Sequence, residues 1–159
     1  MEQWKSYVDV AKWLEENFTY DLERLRECKR RSLMRNSQPV KLPEETFKSK
    51  SGICQDSVLL TQESLNKIDP PYRAEVVWLR CRPEYAYDHY VCKFELSRKI
   101  FILDYGNSPA NKHMNGIHGP YKSLDEYKEY YEKNNALGKK VNYIQYGWPP
   151  HRQKQFEKK

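Results

Sequence analysis

One short stretch, Gly52-Ile53-Cys54-Gln55-Asp56, constrains the fold of this chain more than any other. Gly52 allows a sharp turn of the backbone and leaves space beside the residues that follow it. Beyond Cys54 the apolar residues recur at helical spacing, at Val58, Leu59, Leu60, Leu65 and Ile68. The sequence therefore predicts a helix over 54–67 with Cys54 in its first turn, where unpaired N–H groups and the helix dipole favour the thiolate.

The length and composition of the chain fit one globular domain. Its 159 residues can bury a core, and its 13 tyrosines supply apolar rings that the low mean hydropathy understates. The formal net charge of +6 indicates a basic surface or an acidic partner. The longest basic cluster, Lys29-Arg30-Arg31, lies in a predicted helix close to Glu23 and Glu27, which favours a solvated face over a nucleic-acid site.

Cysteine usage and the N-terminal sequence bear on the compartment. The four cysteines, at positions 28, 54, 81 and 92, form no C-x-x-C pair, so we expect no zinc site. The start Met1-Glu2-Gln3-Trp4-Lys5 has no apolar signal core, and no run approaches the length of a membrane span. We therefore expect a reduced, cytoplasmic protein that does not enter a membrane. Cys28 falls on an apolar helical stripe, as expected for a small buried residue.

Helical and extended periodicities alternate along the chain. Helices are predicted over 3–17, 21–34, 54–67 and 124–135. The last of them begins with the capping-box pattern Ser123 to Glu126 and ends near Gly138. Residues 36–51, with two prolines and no period, and residues 106–122, rich in Gly, Asn, Pro and His, are predicted as loops.

A period of two follows Asp69-Pro70-Pro71. Strands are predicted over 74–82, 89–96, 100–105 and 140–148. The basic residues from His151 onward are predicted to be a loosely held tail. The pattern is that of an α+β domain whose helices pack on a mostly antiparallel sheet.

The hairpin made by the second and third of these strands places two polar residues together. If Ser97 and Arg98 form a two-residue turn, Asp104 lies opposite Val91, and opposed residues share a face. His89 is two residues from Val91 and shares that face as well. His89 and Asp104 are then diagonal neighbours, with Cα atoms about 7–8 Å apart. A one-residue change in the turn would send them to opposite faces.

Cys54, His89 and Asp104 are the residue types that an acyl-transfer site needs. A thiol requires an imidazole to take its proton and later to protonate the leaving group, and a carboxylate orients that imidazole. A helix N-terminus adds N–H donors for an oxyanion. The loop 106–122 could bring His113 or His118 near instead, and those two histidines lack the partners of a metal site.

These motifs resemble the transglutaminase-like superfamily of papain-like cysteine enzymes. The resemblance rests on Gly52-Ile-Cys54-Gln-Asp56, on His89-Tyr-Val and on Leu103-Asp104-Tyr105-Gly106. It implies that Cys54 is the nucleophile, His89 the general base and acid, and Asp104 the group that orients His89, with no cofactor. It also implies a structural role for Asp56, which a favourable interaction with the helix dipole explains nearly as well.

With this resemblance we expect a single domain over residues 1–159. Its expected parts are N-terminal helices in 1–35, a catalytic core at about 45–106, a C-terminal helix and strand in 123–148, and a basic tail in 149–159. The superfamily completes its oxyanion hole with a further side chain, for which Gln38 and Trp78 are candidates beside the N–H of Cys54.

The expected substrate is a peptide or protein amide, with water or an amine as the acceptor. Aromatic residues near the predicted site, Tyr85, Tyr87, Tyr90 and Trp78, are predicted to line a substrate groove, although edge packing explains them equally well. The alternative is a non-catalytic protein that keeps the fold and binds a protein or acidic partner. No nucleic-acid partner is expected, because no basic stripe carries interleaved aromatics on one face.

Overall fold

The N-terminal part of the chain folds into four α-helices and two very short strands. The computed structural model describes residues 1–83 and 88–156. In chain order its first elements are helix α1 (Tyr7–Asn17), strand β1 (Thr19–Tyr20), helix α2 (Leu22–Leu33), helix α3 (Pro43–Ser49), strand β2 (Ser51–Gly52) and helix α4 (Cys54–Ile68). The helices predicted over 3–17, 21–34 and 54–67 are confirmed, and α1 begins later than predicted because Ser6 caps it and its hydroxyl accepts from the Val8 N–H.

The prediction of a loop over 36–51 is wrong in part, because this region contains helix α3. Pro43 occupies the first turn of this helix, where its missing N–H costs nothing. The Glu45 carboxylate accepts from the Leu42 N–H at 2.7 Å and so caps the same end. The helix has only seven residues, too few to show an apolar period.

The C-terminal part supplies all five strands of one sheet. Its elements are strands β3 (Glu75–Arg82), β4 (His89–Leu96), β5 (Lys99–Asp104), β6 (Gly116–Tyr121) and β7 (Lys140–Tyr146), with helices α5 (Leu124–Asn134) and α6 (Pro150–Phe156). Short 3₁₀ turns occur at Pro70–Tyr72 and Pro109–Met114. The five strands pair antiparallel in the order β6-β5-β4-β3-β7, which confirms the predicted α+β class.

Two predictions for the C-terminal part are corrected. The region 106–122 contains β6, which pairs with β5 and has no buried residue, so its Gly- and Pro-containing sequence carries no apolar alternation. The tail from His151 is not loosely held up to Phe156, because it forms α6 and buries Arg152. In addition, the Ser123 side chain makes no capping hydrogen bond, and Glu126 accepts instead from the Lys122 N–H.

The register predicted for the β4–β5 hairpin is confirmed. Cys92 pairs with Leu103 and Leu96 with Lys99, so the turn consists of Ser97 and Arg98. Both turn residues have positive φ, as a tight two-residue turn requires. The alternation of β4 and β5 then sends His89 and Asp104 to the same face.

Helices cover both faces of the sheet. One face packs against α1 and α4 through a cluster that includes Leu14, Leu60 and Phe94. The other face packs against α5 through a cluster that includes Leu79, Ile102 and Tyr127. The side chains of the central strand β4 therefore meet one or the other of two helical layers, which explains the nearly continuous burial of this strand.

One buried carboxylate fixes the start of α4. Asp56 is fully buried and accepts hydrogen bonds from the N–H groups of Ile53 and Lys41, at 2.9 and 2.8 Å. The Arg24 guanidinium of α2 donates to both of its oxygens, at 2.6 and 2.8 Å. Asp56 therefore joins the helix start to α2 and to the loop at Lys41, which is the structural role predicted for it.

We expect Asp56→Ala to destabilise the protein by roughly 3–5 kcal/mol, because it leaves a largely buried guanidinium without its counter-ion. Urea denaturation measures the loss. Glu27→Ala is the control, because it removes the exposed pair of Glu27 with Arg30 from α2 and should leave the midpoint unchanged. Equal midpoints for the two variants would contradict the role given to Asp56.

Candidate active site

Cys54 occupies the first position of α4, and the chain before it is held in place by backbone pairing. Tyr20 of β1 lies opposite Gly52 of β2, and the Asp21 N–H donates to the Gly52 carbonyl at 2.8 Å. A Cβ on Gly52 would lie 2.7 Å from the Cβ of Asp56, so this position requires glycine. The helix start thus depends on a close approach that only glycine permits.

The backbone at Cys54 offers hydrogen-bond donors. In residues 1–83 and 88–156 the N–H groups of Cys54 and Gln55 have no hydrogen-bond acceptor. They belong to the first turn of α4, where the positive end of the helix dipole lies. These N–H groups and the helix dipole would both stabilise an anionic sulfur or oxygen at the start of α4.

His89 and Asp104 form a buried pair at the ends of β4 and β5. The distance between His89 Nε2 and Asp104 Oδ2 is 2.7 Å. Because a carboxylate can only accept, Nε2 carries a hydrogen and donates it. Asp104 also accepts from the Gly106 N–H at 3.0 Å and from the Asn107 side-chain amide at 2.9 Å, so its orientation is fixed.

Among residues 1–83 and 88–156, the hydrogen-bond partner of the His89 ring is Asp104, which leaves the other ring nitrogen available to Cys54. Burial alone would lower the pKa of His89, but the Asp104 carboxylate and, after it, Cys54 outweigh burial and raise that pKa to about 9. The imidazole therefore holds its proton at neutral pH. The structure thus brings Cys54, His89 and Asp104 together in the order thiol, imidazole, carboxylate.

Two contacts that the sequence did not reveal shape this arrangement. A Cβ on Gly106 would lie 2.6 Å from the Cα of Cys54, so the end of β5 passes directly against the start of α4. The Tyr131 ring of α5 stacks on the His89 ring, with centroids 5.5 Å apart. The only sequence signals were a glycine directly after a strand and the apolar face of a predicted helix.

The predicted substrate-lining residues lie in different surroundings. Trp78 and Tyr90 are buried in the same apolar cluster as Cys54. The Trp78 Nε1–H donates to Asp88 at 2.9 Å, and the Tyr90 hydroxyl accepts from Arg152 at 3.3 Å. The predicted Tyr85 and Tyr87 lie outside the described residues, and the substrate contacts of all four stay predictions.

Gln38, the second candidate for an oxyanion donor, is engaged elsewhere. With its oxygen toward Arg24, its side-chain amide accepts from Arg24 Nη1 and donates to the Arg24 carbonyl, both at 3.2 Å. Trp78 is likewise committed to Asp88. The donors in place at the thiol are therefore those of the backbone at Cys54 and Gln55.

The described chain presents no evident cluster of metal ligands. Among residues 1–83 and 88–156, no three His, Cys, Asp or Glu side chains are grouped as a metal site would need. His113 and His118 instead hydrogen-bond the carbonyls of Asn134 and Met114. In the same residues no helix is long and apolar enough to cross a bilayer.

Comparison with known families decides the relationship. A family model described as a transglutaminase-like domain matches residues 1–135. The chain belongs to this family. The resemblance expected from the sequence is thereby confirmed, and the transglutaminase-like domain contains α1 through α5 and β1 through β6 in its matched part. No curated protein matches the chain.

The raised pKa of His89 predicts pH-dependent stability of the transglutaminase-like domain. The pKa of His89 in the folded protein, about 9, exceeds the ordinary value of 6.5. The protonated His89 therefore stabilises the folded protein fully below pH 6.5, and this stabilisation is lost as the pH rises through about 9. Over this pH interval we expect the free energy of unfolding of the wild-type protein to fall by on the order of 1–3 kcal/mol more than that of His89→Gln. Urea denaturation at a series of pH values measures the difference.

Other groups that titrate in this interval are common to both proteins and cancel in the comparison. Asp104→Asn removes the carboxylate that raises the pKa of His89. It should therefore make the free energy of unfolding less dependent on pH, as His89→Gln does. If the free energy of unfolding changed with pH in parallel for wild type and His89→Gln, the raised pKa given to His89 would be contradicted.

Proposed function

We propose that this transglutaminase-like domain is a cysteine enzyme that transfers the acyl group of a peptide or protein amide. The observation that carries the proposal is the buried pair of His89 and Asp104, 2.7 Å apart, beside a helix that begins at Cys54 and packs against Gly106, two residues after Asp104. Membership of the family supports the same proposal. Buried pairs of this kind are typical of sites whose protonation states are tuned for catalysis.

In the first step, Cys54 attacks the carbonyl carbon of the amide as a thiolate. A C–S bond forms, and the carbonyl oxygen becomes an oxyanion. As the C–N bond breaks, the protonated His89 gives its proton to the nitrogen, and an amine leaves. The product is a thioester on Cys54, and His89 is left neutral with Asp104 still accepting from Nε2.

The oxyanion needs donors at the start of α4. The N–H groups of Cys54 and Gln55 are available there, and the helix dipole adds to their effect. Loss of one such donor typically costs enzymes about 10²–10³ in rate. No further side chain is required by this scheme.

In the second step, a water molecule or an amine attacks the thioester. The neutral His89 takes a proton from the attacking group, the C–S bond breaks, and the Cys54 thiolate is restored beside a protonated imidazole. Water gives a peptidase or amidase, and an amine gives a transglutaminase. The proposal is that the acyl-enzyme forms on Cys54, with either water or an amine as the acceptor.

A non-catalytic binding role is the competing candidate, and the enclosure of the site favours it. Cys54, His89 and Asp104 are 4, 5 and 3% exposed, so an amide substrate reaches the thiol only if the surface opens. Thiol reactivity separates the two roles, because a structural cysteine has no reason to be activated.

We expect iodoacetamide to label Cys54 much faster than Cys28, Cys81 or Cys92 at about pH 6–7. All four cysteines are at most 4% exposed, so a faster rate at Cys54 reports chemistry rather than access. His89→Ala should slow labelling of Cys54 by about tenfold or more, since it removes the counter-charge of the thiolate. Peptide mass mapping locates the label.

His113→Ala serves as the control, because His113 is exposed and its ring hydrogen-bonds the Asn134 carbonyl at the end of α5. In this variant, iodoacetamide should label Cys54 at the wild-type rate. Equal labelling of the four cysteines, unaffected by His89→Ala, would sink the enzyme proposal and leave the binding role.

A further inference from the structure

One aromatic ring of α5 lies flat against the imidazole of His89. The rings of Tyr131 and His89 are stacked, with centroids 5.5 Å apart and planes inclined by 20°. Tyr131 is 1% exposed and His89 is 5% exposed, so the contact is buried. The χ2 torsion of histidine has a broad energy minimum, and a nearly parallel ring against the imidazole narrows it.

Asp104 and Tyr131 restrict different motions of the same imidazole. The hydrogen bond with Asp104 holds one end of the ring, at Nε2, with a distance of 2.7 Å. The stack with Tyr131 restricts rotation of the ring plane about that bond. The two contacts together set the direction of Nδ1, the nitrogen available to Cys54. A group that transfers a proton must be held within about 10–20° of its productive orientation.

Hydrogen bonds at the end of α5 hold Tyr131 in place. The Glu132 carboxylate accepts from the Val141 N–H of β7 at 2.9 Å. Just beyond the helix, the Ala136 N–H donates to the Asn111 side chain at 2.6 Å. The helix is thereby attached both to β7 and to the segment that follows β5. Tyr131 therefore lies on a fixed element.

The segment that follows β5 also orients Asp104. The Asn107 side-chain amide donates to Asp104 at 2.9 Å and to the Asn115 side chain at 2.9 Å. Asn111 of this segment holds the end of α5. One stretch of chain, residues 105–115, therefore supports both the carboxylate at the edge of the imidazole and the ring against its face.

The Tyr131 ring also favours the protonated form of His89. The face of an aromatic ring attracts a cation that lies within about 6 Å of the ring centre. The imidazole of His89 meets this distance, at 5.5 Å. The buried ring also keeps water from one face of the imidazole, which strengthens the hydrogen bond with Asp104.

We propose that Tyr131 is a positioning residue of the candidate active site, whose ring holds the His89 imidazole in the plane that directs Nδ1 to Cys54 and stabilises its protonated form. This inference rests on the proposed function. Tyr131 acts through His89 and does not touch the reacting atoms. The ring carries this role, so phenylalanine should replace tyrosine.

Other titratable groups lie at or beside His89 and are the same in every Tyr131 variant. They are Cys54 of α4, Cys81 of β3, Asp88 and Tyr90 next to His89 in the chain, Asp104 of β5, Tyr127 of α5, and Lys139. Burial raises the pKa of Cys81 to about 11 and that of Tyr131 far above neutrality. Neither of these two groups therefore titrates near neutral pH.

The first test is NMR of the histidine side chains in the full chain, with His89→Gln used to assign the His89 signals. A stacked aromatic ring shifts the carbon-bound protons of the imidazole upfield. Wild type and Tyr131→Phe should both show this shift and the same pH midpoint for His89. In Tyr131→Leu the upfield shift should disappear, and the midpoint should fall by about one pH unit.

The second test is iodoacetamide labelling of Cys54 at about pH 6.5. Tyr131→Leu should slow it roughly tenfold, and Tyr131→Phe should restore most of the wild-type rate. Tyr127→Leu is the matched control, because Tyr127 is equally buried in the same helix and packs on Tyr121 and Tyr130. Its ring also borders Tyr131, at 6.4 Å, so it controls for packing in this layer. It should label at the wild-type rate.

Thermal melts establish that each variant is folded. A folded Tyr131→Leu protein that keeps the wild-type midpoint overturns the inference, and so does a Tyr131→Phe protein that loses it. Equal slowing of the labelling by Tyr127→Leu and Tyr131→Leu also overturns it. If Tyr131→Leu does not fold, the wild-type spectrum remains a test, because carbon-bound protons of His89 at the shifts of free histidine overturn the inference.

The two proposals fail in different ways. If Cys54 of the wild-type protein reacts no faster than the other cysteines, the enzyme proposal is overturned, and the role of Tyr131 with it. If Cys54 is reactive and depends on His89, but labels at the wild-type rate in Tyr131→Leu, only the role of Tyr131 is overturned.

Discussion

The Asp56 carboxylate accepts hydrogen bonds from three separate parts of the chain, and the position of Cys54 depends on this. It joins Arg24 of α2, the backbone at Lys41 and the backbone at Ile53, and is itself fully buried. The helix that begins at Cys54 can therefore start at one place only. Gly52 completes the constraint, because any side chain there would collide with Asp56. A helix start fixed in this way presents its N–H donors at a constant position, which an acyl-transfer site requires.

The sheet provides the other half of the site through its register. A two-residue turn aligns β4 with β5 so that His89 and Asp104 share a face. Gly106 and Asn107 then donate to Asp104. Because Gly106 also packs against the Cα of Cys54, the two halves meet at a backbone contact rather than through flexible side chains. The geometry of the thiol and imidazole is thus set by the rigid parts of the fold.

Local signals made the core of the site predictable from sequence, while distant contacts did not. The glycine before Cys54, the helical period after it and the alternation of β4 and β5 are all short-range features, and they predicted the three residues that meet. Helix α3 and strand β6 were missed because neither carries an apolar period of its own. Arg152 was placed in a loose tail because its burial depends on Tyr90 and Gln38, which are 62 and 114 residues away in the chain.

The most direct test of the central claim is detection of the acyl-enzyme. A brief incubation with a small aryl ester, quenched in acid and followed by intact-mass measurement and peptide mapping, reports where the acyl group resides. The account predicts one acyl group on Cys54, which disappears on further incubation in water and does not form in His89→Ala. Acylation spread over several cysteines or lysines, or equal acylation of Cys54 without His89, would contradict it.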